Sequence, residues 1–158
     1  METLIIYASK YGCTADCAAY LKDKLNGNVT LVDINKADKL GLDKFDRVII
    51  GGSVYIGKVA KKLRVFCEGN VDSLTQKAVG IFLCCALVDE ADAVLAANFP
   101  VALLKNAKVV GFFGSEARME KMGFFDRMLI KAVTKGDFSK FKISTERMDE
   151  FVVEINRA

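Results

Sequence analysis

The chain has 158 residues, 52% apolar and 27% charged, which is long enough for one domain with a real core and too apolar for a disordered chain. Lys and Arg number 23 against 20 Asp and Glu, a net charge of +3, and there is no His, which excludes Ser-His and Cys-His nucleophilic catalysis. No apolar run reaches membrane-spanning length and no signal-peptide pattern is present, so a cytoplasmic protein with no nucleic-acid partner is expected.

The first element is the apolar run Thr3-Leu4-Ile5-Ile6-Tyr7-Ala8, which predicts a strand over 2–8. Cys17, Ala18, Leu21 and Leu25 then recur at helical spacing and predict a helix over 14–26, stopped by Asn26-Gly27-Asn28. Between the two lies Ser9-Lys10-Tyr11-Gly12-Cys13-Thr14. A hydroxyl-bearing, glycine-containing turn at a helix N-terminus gathers backbone amides at the positive end of the dipole, where a phosphate monoester binds well. The alternative is an ordinary βα turn in which Thr14 or Ser9 caps the helix.

Further strands are predicted at 29–33, 46–52, 77–84 and 107–114, each short and apolar on both faces as buried parallel strands are. Helices are predicted near 36–44, 58–70 and 89–105, with Pro100 breaking the last of these or opening a new turn. Met148, Phe151, Val152 and Ile155 fall at i, i+3, i+4 and i+7 of a final helix from about 145 to 156, capped by Ser144. This alternation predicts α/β architecture: a doubly wound five-stranded parallel sheet of order 2-1-3-4-5, helices on both faces, in one domain spanning 1–158.

Cys13, Cys17, Cys67, Cys84 and Cys85 are read as reduced thiols. Cys13 and Cys17 share a helix face, but without His or a CxxC pair no zinc site is expected. Cys84 and Cys85 lie in the apolar run 78–87 and read as buried small hydrophobes.

The stretch between the fifth strand and the last helix is too long for an ordinary connection, which marks an insertion at about 116–142. Within it Phe124, Phe125, Met128, Leu129, Ala132 and Val133 form an apolar face. Over 117–142, Arg118, Lys121, Arg127, Lys131, Lys135, Lys140 and Lys142 stand against only Glu120, Asp126 and Asp137. Such a helix either packs its apolar face on the domain, or docks on a membrane surface, an acidic partner or an anionic substrate.

Ligands of a doubly wound sheet bind at the carboxyl ends of its strands. Those ends carry 9–14, then Gly52-Ser53-Val54-Tyr55-Ile56-Gly57, then Cys84-Cys85-Ala86-Leu87, then Gly114-Ser115-Glu116. An anion nest beside a glycine loop with a tyrosine face suits a ligand with one phosphate and one planar ring system, a description that FMN meets. GxxxxGK[ST] and GxGxxG are both absent, which argues against ATP hydrolysis and dinucleotide binding. The acidic cluster that a receiver domain needs after its first strand is absent as well.

Residues 5–14 resemble the FMN-phosphate segment of the flavodoxin family, usually (T/S)-x-(T/S)-G-x-T. Ser9, Gly12 and Thr14 match, and Tyr11 replaces the middle hydroxyl residue. Phe45-Asp46-Arg47-Val48-Ile49-Ile50-Gly51-Gly52-Ser53-Val54-Tyr55-Ile56-Gly57-Lys58 and Phe124-Phe125-Asp126-Arg127-Met128-Leu129-Ile130-Lys131 are most similar to the branch containing menaquinone-dependent protoporphyrinogen oxidase.

The resemblance implies a flavodoxin-like fold, with Ser9, Lys10, Tyr11, Gly12, Cys13 and Thr14 on the phosphate. It places Ser53, Val54, Tyr55, Ile56 and Gly57 against the ring, and Cys84, Cys85, Ala86 and Leu87 on the ring's other side. A flexible peptide at Gly57 would present its carbonyl to the reduced flavin. The chain departs from the family's usual electron carriers in having no Trp and in being basic rather than strongly acidic.

The function expected is electron transfer through bound FMN to a redox partner protein or a quinone. The alternative is an FMN-dependent, quinone-linked protoporphyrinogen IX dehydrogenase, whose basic segment meets anionic lipid or porphyrin. A third reading is a flavodoxin-fold module without flavin.

Overall fold

The computed structural model describes residues 1–85, 89–139 and 141–158. Strand β1 (Glu2–Ala8) leads into α1 (Cys13–Lys24), β2 (Asn28–Asp33) and β3 (Arg47–Ser53). After these come α2 (Lys61–Gly69), α3 (Val71–Leu74), β4 (Ala78–Cys84), α4 (Ala91–Asn98), α5 (Val101–Asn106) and β5 (Ala107–Gly114). A 3-10 turn at Met119–Lys121, α6 (Phe124–Thr134) and α7 (Thr145–Arg157) complete the chain. The strands form one five-stranded sheet in the order β2-β1-β3-β4-β5, every pairing parallel, as the alternation of elements predicts.

The central strands are apolar on both faces because helices cover both. On one side Leu4, Ile6, Val48, Ile50, Val79, Ile81 and Leu83 pack with Leu63, Cys67, Leu74, Val94 and Leu103. On the other, Ile5, Ile49, Phe82, Cys84 and Phe113 pack with Cys17, Ala18 and Leu21 of α1 and Met148, Phe151 and Ile155 of α7. Phe82, Phe113 and Phe151 form an aromatic cluster there, with Phe82 and Phe113 stacked at 5.0 Å. Gly51 faces Phe82 across the β3–β4 pairing, and a Cβ at Gly51 would sit 2.1 Å from the ring, so that strand position admits only glycine.

The fully buried Arg47, at the start of β3, has no carboxylate partner among the described residues. It donates instead to Thr3 Oγ1 at 2.9 Å, the Ile155 carbonyl at 3.1 Å, Asn156 Oδ1 at 2.9 Å and the Asn26 carbonyl at 3.0 Å. The two carbonyls lie at the carboxyl ends of α7 and α1, where the helix dipoles favour a cation. Burial works against its charge and lowers its pKa, so these four acceptors are what retain it.

Two predicted elements differ. Residues 36–44 form turns and irregular chain rather than a helix. The Asn35 amide bonds the Asp33 carboxylate at 3.0 Å, an Asx turn that competes with helix initiation, and Leu42 and Phe45 reach the core directly from the loop. The predicted helix at 89–105 is two helices, because Pro100 (φ −57°, ψ 138°) separates α4 from α5. The final helix begins as expected, with Ser144 Oγ accepting from the Arg147 amide at 3.3 Å.

Candidate functional site

At the carboxyl edge of the sheet, the turn after β1 leads into α1 through Gly12, whose φ of +94° only glycine adopts cheaply. Ser9 Oγ accepts from the Gly12 amide at 3.0 Å, which folds the turn back on itself. No side chain caps α1, so neither Ser9 nor Thr14 plays the capping role that an ordinary βα turn would give it. Thr14 stands in the first turn of the helix, fully buried. Its Oγ1 is the one buried side-chain polar atom among the described residues without a hydrogen-bond partner. A buried hydroxyl left unsatisfied costs about 1–3 kcal/mol, so this position is built for an acceptor brought from outside.

Two cationic side chains stand over the same turn. A Cβ on Gly12 would lie 2.7 Å from Arg118 Nη1 and 3.6 Å from Lys121 Nζ. Arg118 donates to the Tyr11 carbonyl at 3.4 Å and is paired with Asp16 at 2.6 Å and Glu116 at 2.8 Å, which push its pKa above the usual guanidinium value. Arg118 therefore faces the turn rather than the outer basic surface that the sequence suggests.

The loop after β3 closes as a two-residue turn. Tyr55 and Lys58 exchange backbone hydrogen bonds of 2.9 and 3.0 Å, with Ile56 at φ 49° and Gly57 at φ 68° between them. This is a type I′ geometry. A left-handed β-branched residue is a strained outlier, and Ile56 is 72% exposed, so no packing repays its strain. The Gly57 carbonyl accepts from Asn98 Nδ2 at 2.9 Å, and Asn98 Oδ1 accepts from the Val59 amide at 2.9 Å.

Asp126, in the first turn of α6, joins the two loops. Its carboxylate accepts from the Tyr11 hydroxyl, from the Tyr55 hydroxyl at 2.5 Å, and pairs with Lys10 Nζ at 2.9 Å. Lys10 Nζ also sits 4.0 Å from the centre of the Tyr55 ring. The Tyr55 face expected to stack on a ring system thus carries an ammonium group, which a stacking ligand must move aside or avoid.

Helix α6 itself buries no residue. Phe124, Phe125, Met128 and Val133 are 71%, 81%, 53% and 60% exposed, so the reading in which this apolar face packs on the domain is overturned. Polar bonds hold the helix by its first turn, through Asp126 and through Arg127, which donates to the Met122 carbonyl at 2.9 Å.

Beneath the turn after β1, the Sγ atoms of Cys13, Cys17 and Cys84 lie within 4.8 Å of one another. Hydrogen bonds from Cys17 and then Cys84 lower the pKa of Cys13, while contact with Cys13 raises the pKa of Cys17 and of Cys84, with burial adding to both. The sequence pairs Cys13 with Cys17 by helical spacing but gives no sign that Cys84 meets them.

Of the predicted site residues, 9–14 and 53–57 converge at this edge, and Cys84 reaches it from below. Ala86 and Leu87 lie outside the described residues, as does Lys140 of the basic segment. Sequence reasoning missed Asp126, Arg118 and Asn98. Arg118 appears there only as a charge on an insertion, Asp126 as a charge and as one member of a family motif, and Asn98 falls in an unremarkable helical stretch.

Residues 4–143 match the flavodoxin domain family. A comparison with curated proteins found no match. Among solved structures, a WrbA-like flavodoxin from Agrobacterium tumefaciens aligns with TM-score 0.58 and 15% identity, over 99% of this chain and 93% of that one. The Streptococcus pneumoniae TIGR4 flavodoxin aligns with TM-score 0.56 and 18% identity, over 99% of both chains. A mutant Fusobacterium nucleatum flavodoxin bound to flavin mononucleotide aligns with TM-score 0.55 and 14% identity, over 99% of this chain and 95% of that one. At such identities the likeness speaks for the fold.

Proposed function

This chain belongs to the flavodoxin domain family, and on that premise we propose that it binds FMN at the carboxyl edge of its sheet and transfers electrons through it. The observation that carries the reading is the orphaned Thr14 hydroxyl beside left-handed Gly12, at the uncapped N-terminus of α1. A phosphate oxygen would satisfy that hydroxyl, the first-turn amides would add donors, and Arg118 and Lys121 would offset the charge. Ser9, Lys10, Tyr11, Gly12, Cys13 and Thr14 would hold the phosphate. Ser53, Val54, Tyr55, Ile56 and Gly57 would flank the ring, with Cys84, Cys85, Ala86 and Leu87 on its far side. When bound, FMN supplies one- and two-electron chemistry, and the protein tunes it through the groups around the ring.

The test is a fluorescence titration of the purified chain with FMN, FAD and NAD. FMN alone binds, and Thr14→Val weakens it about tenfold, the loss of one charge-assisted hydrogen bond. A colourless protein that takes up no FMN overturns the reading.

The exposed apolar face of α6 favours a second reading, about the electron partner. Phe124, Phe125 and Met128 stand open beside Lys131 and Lys135, a composition suited to the interface of an anionic membrane. No helix among the described residues is long and apolar enough to cross a membrane, so this attachment is peripheral. A quinone is then the nearest acceptor, and a quinone-linked protoporphyrinogen IX dehydrogenase is the specific enzyme reading, against a carrier serving a redox partner protein. Turnover of protoporphyrinogen with a menaquinone analogue supports the dehydrogenase, and FMN binding without turnover supports the carrier.

A further inference from the structure

We propose that the thiols of Cys13, Cys17 and Cys84, directly beneath the proposed FMN site and sharing Cys13 and Cys84 with it, hold a soft, three-coordinate cation of the monovalent copper class. Their three Sγ atoms lie within 4.8 Å of one another, and Cys17 and Cys84 approach to 3.7 Å. Cys13 and Cys17 stand one turn apart on the inner face of α1, and Cys84 ends β4, so regular elements fix all three ligands. Their exposures are 8%, 3% and 2%, which closes the site to bulk water.

The size of the triangle fits an ion. With metal–sulfur bonds of about 2.3 Å, three sulfurs around a planar centre lie about 4.0 Å apart. Cys17 and Cys84, at 3.7 Å, stand close to that value, and all three sulfurs lie within 4.8 Å of one another, so closure needs only small side-chain shifts.

The ligand set selects the ion. Structural zinc takes four protein ligands, and among the described residues no fourth His, Cys, Asp or Glu joins this group. The segment that follows Cys84 and Cys85 is Ala86-Leu87-Val88, which carries no ligating side chain. Thiolate ligands prefer soft ions, and three of them with no open position suit monovalent copper. Binding involves no redox change: the ion stays monovalent and the displaced thiol protons pass to water. Three thiolates around one positive charge leave the centre negative. The positive end of the α1 dipole, which the FMN phosphate would share, offsets part of that charge.

The full-length chain, reduced and oxygen-free, is titrated with Cu(I) against a chromogenic chelator, and in parallel with Zn(II). One equivalent of Cu(I) binds, and X-ray absorption finds three sulfur neighbours at about 2.3 Å. Cys17→Ala lowers Cu(I) affinity at least a hundredfold, whereas Cys67→Ala, a buried thiol on the other face of the sheet, leaves it unchanged. No uptake of Cu(I) overturns the proposal. So does preference for Zn(II), two sulfur neighbours in place of three, or loss of binding in Cys67→Ala. If Cys17→Ala fails to fold, Cys84→Ser replaces it, and the absorption experiment on the unaltered chain decides in any case.

Discussion

Asn98 holds Gly57 in place: its Nδ2 donates to the Gly57 carbonyl at 2.9 Å while the same side chain accepts the Val59 amide through Oδ1. The carbonyl that family resemblance would make mobile is therefore tethered. Asn98 is 3% exposed and also donates to the Val94 carbonyl at 2.7 Å, so its amide ties α4 to the turn after β3. Removing it leaves the buried Val59 amide without its acceptor and takes one donor from the Gly57 and Val94 carbonyls. Asn98→Ala should lose about 2–3 kcal/mol in urea unfolding, since unsatisfied buried groups cost about 1–3 kcal/mol each and some will recover water. A loss below about 0.5 kcal/mol, the ordinary surface range, would show the tether to be idle.

Ile56 offers the opposite opportunity. It is left-handed and exposed, and neither its conformation nor its packing favours isoleucine. Ile56→Asn should raise stability by about 0.5–1 kcal/mol, because asparagine tolerates positive φ in type I′ turns. Thermal unfolding reads this directly, and an unchanged or lower Tm refutes it.

Cys67 makes stability depend on pH in the alkaline range. Burial pushes its thiol up to about 12, from an ordinary value of 9.0. Between those values the unfolded chain loses a proton that the folded chain keeps, so stability falls as pH rises through the window and is intact below it. Comparing pH about 8 with about 10.5, Cys67→Ala should decline less than the parent by on the order of 1–2 kcal/mol. Parallel declines in urea unfolding would remove Cys67 as a source.

Asp126 controls the insertion rather than the core. With Lys10 about half exposed, their ion pair contributes little by itself, but Asp126 also receives Tyr11 and Tyr55. Asp126→Ala should speed proteolysis within α6 severalfold while shifting global stability by less than about 1 kcal/mol, because α6 buries nothing. A large global loss would mean that the helix is integral to the fold.

Much of this was legible in the residues. Short β-branched apolar runs such as Val48-Ile49-Ile50, followed at once by glycines, read as central parallel strands, and the order of elements then dictates the switch point and its loops. Residues 36–44 misled because local turn chemistry at Asp33 and Asn35 outweighed a helical reading of the residues that follow. The remaining site residues were hidden for a different reason. Asp126 meets Tyr11 and Tyr55 across separations of more than a hundred and about seventy residues, and Cys84 meets Cys17 across 67. No local periodicity encodes such meetings. They follow from which elements the sheet brings together at one edge.

Arg47 lies at the far end of the sheet from all of this chemistry. A seven-residue β3 spans roughly 20 Å, with Arg47 at its first position and the loop of Tyr55 beyond its last. One pole of the molecule is riveted by a guanidinium that gathers β1, α1 and α7, while the other holds an unsatisfied hydroxyl, a strained turn and a crowded set of thiols. Changes at the chemical pole need not be renegotiated with the anchored one. A lineage can therefore exchange ligands, partners or insertions at one end of this domain while inheriting its architecture from the other.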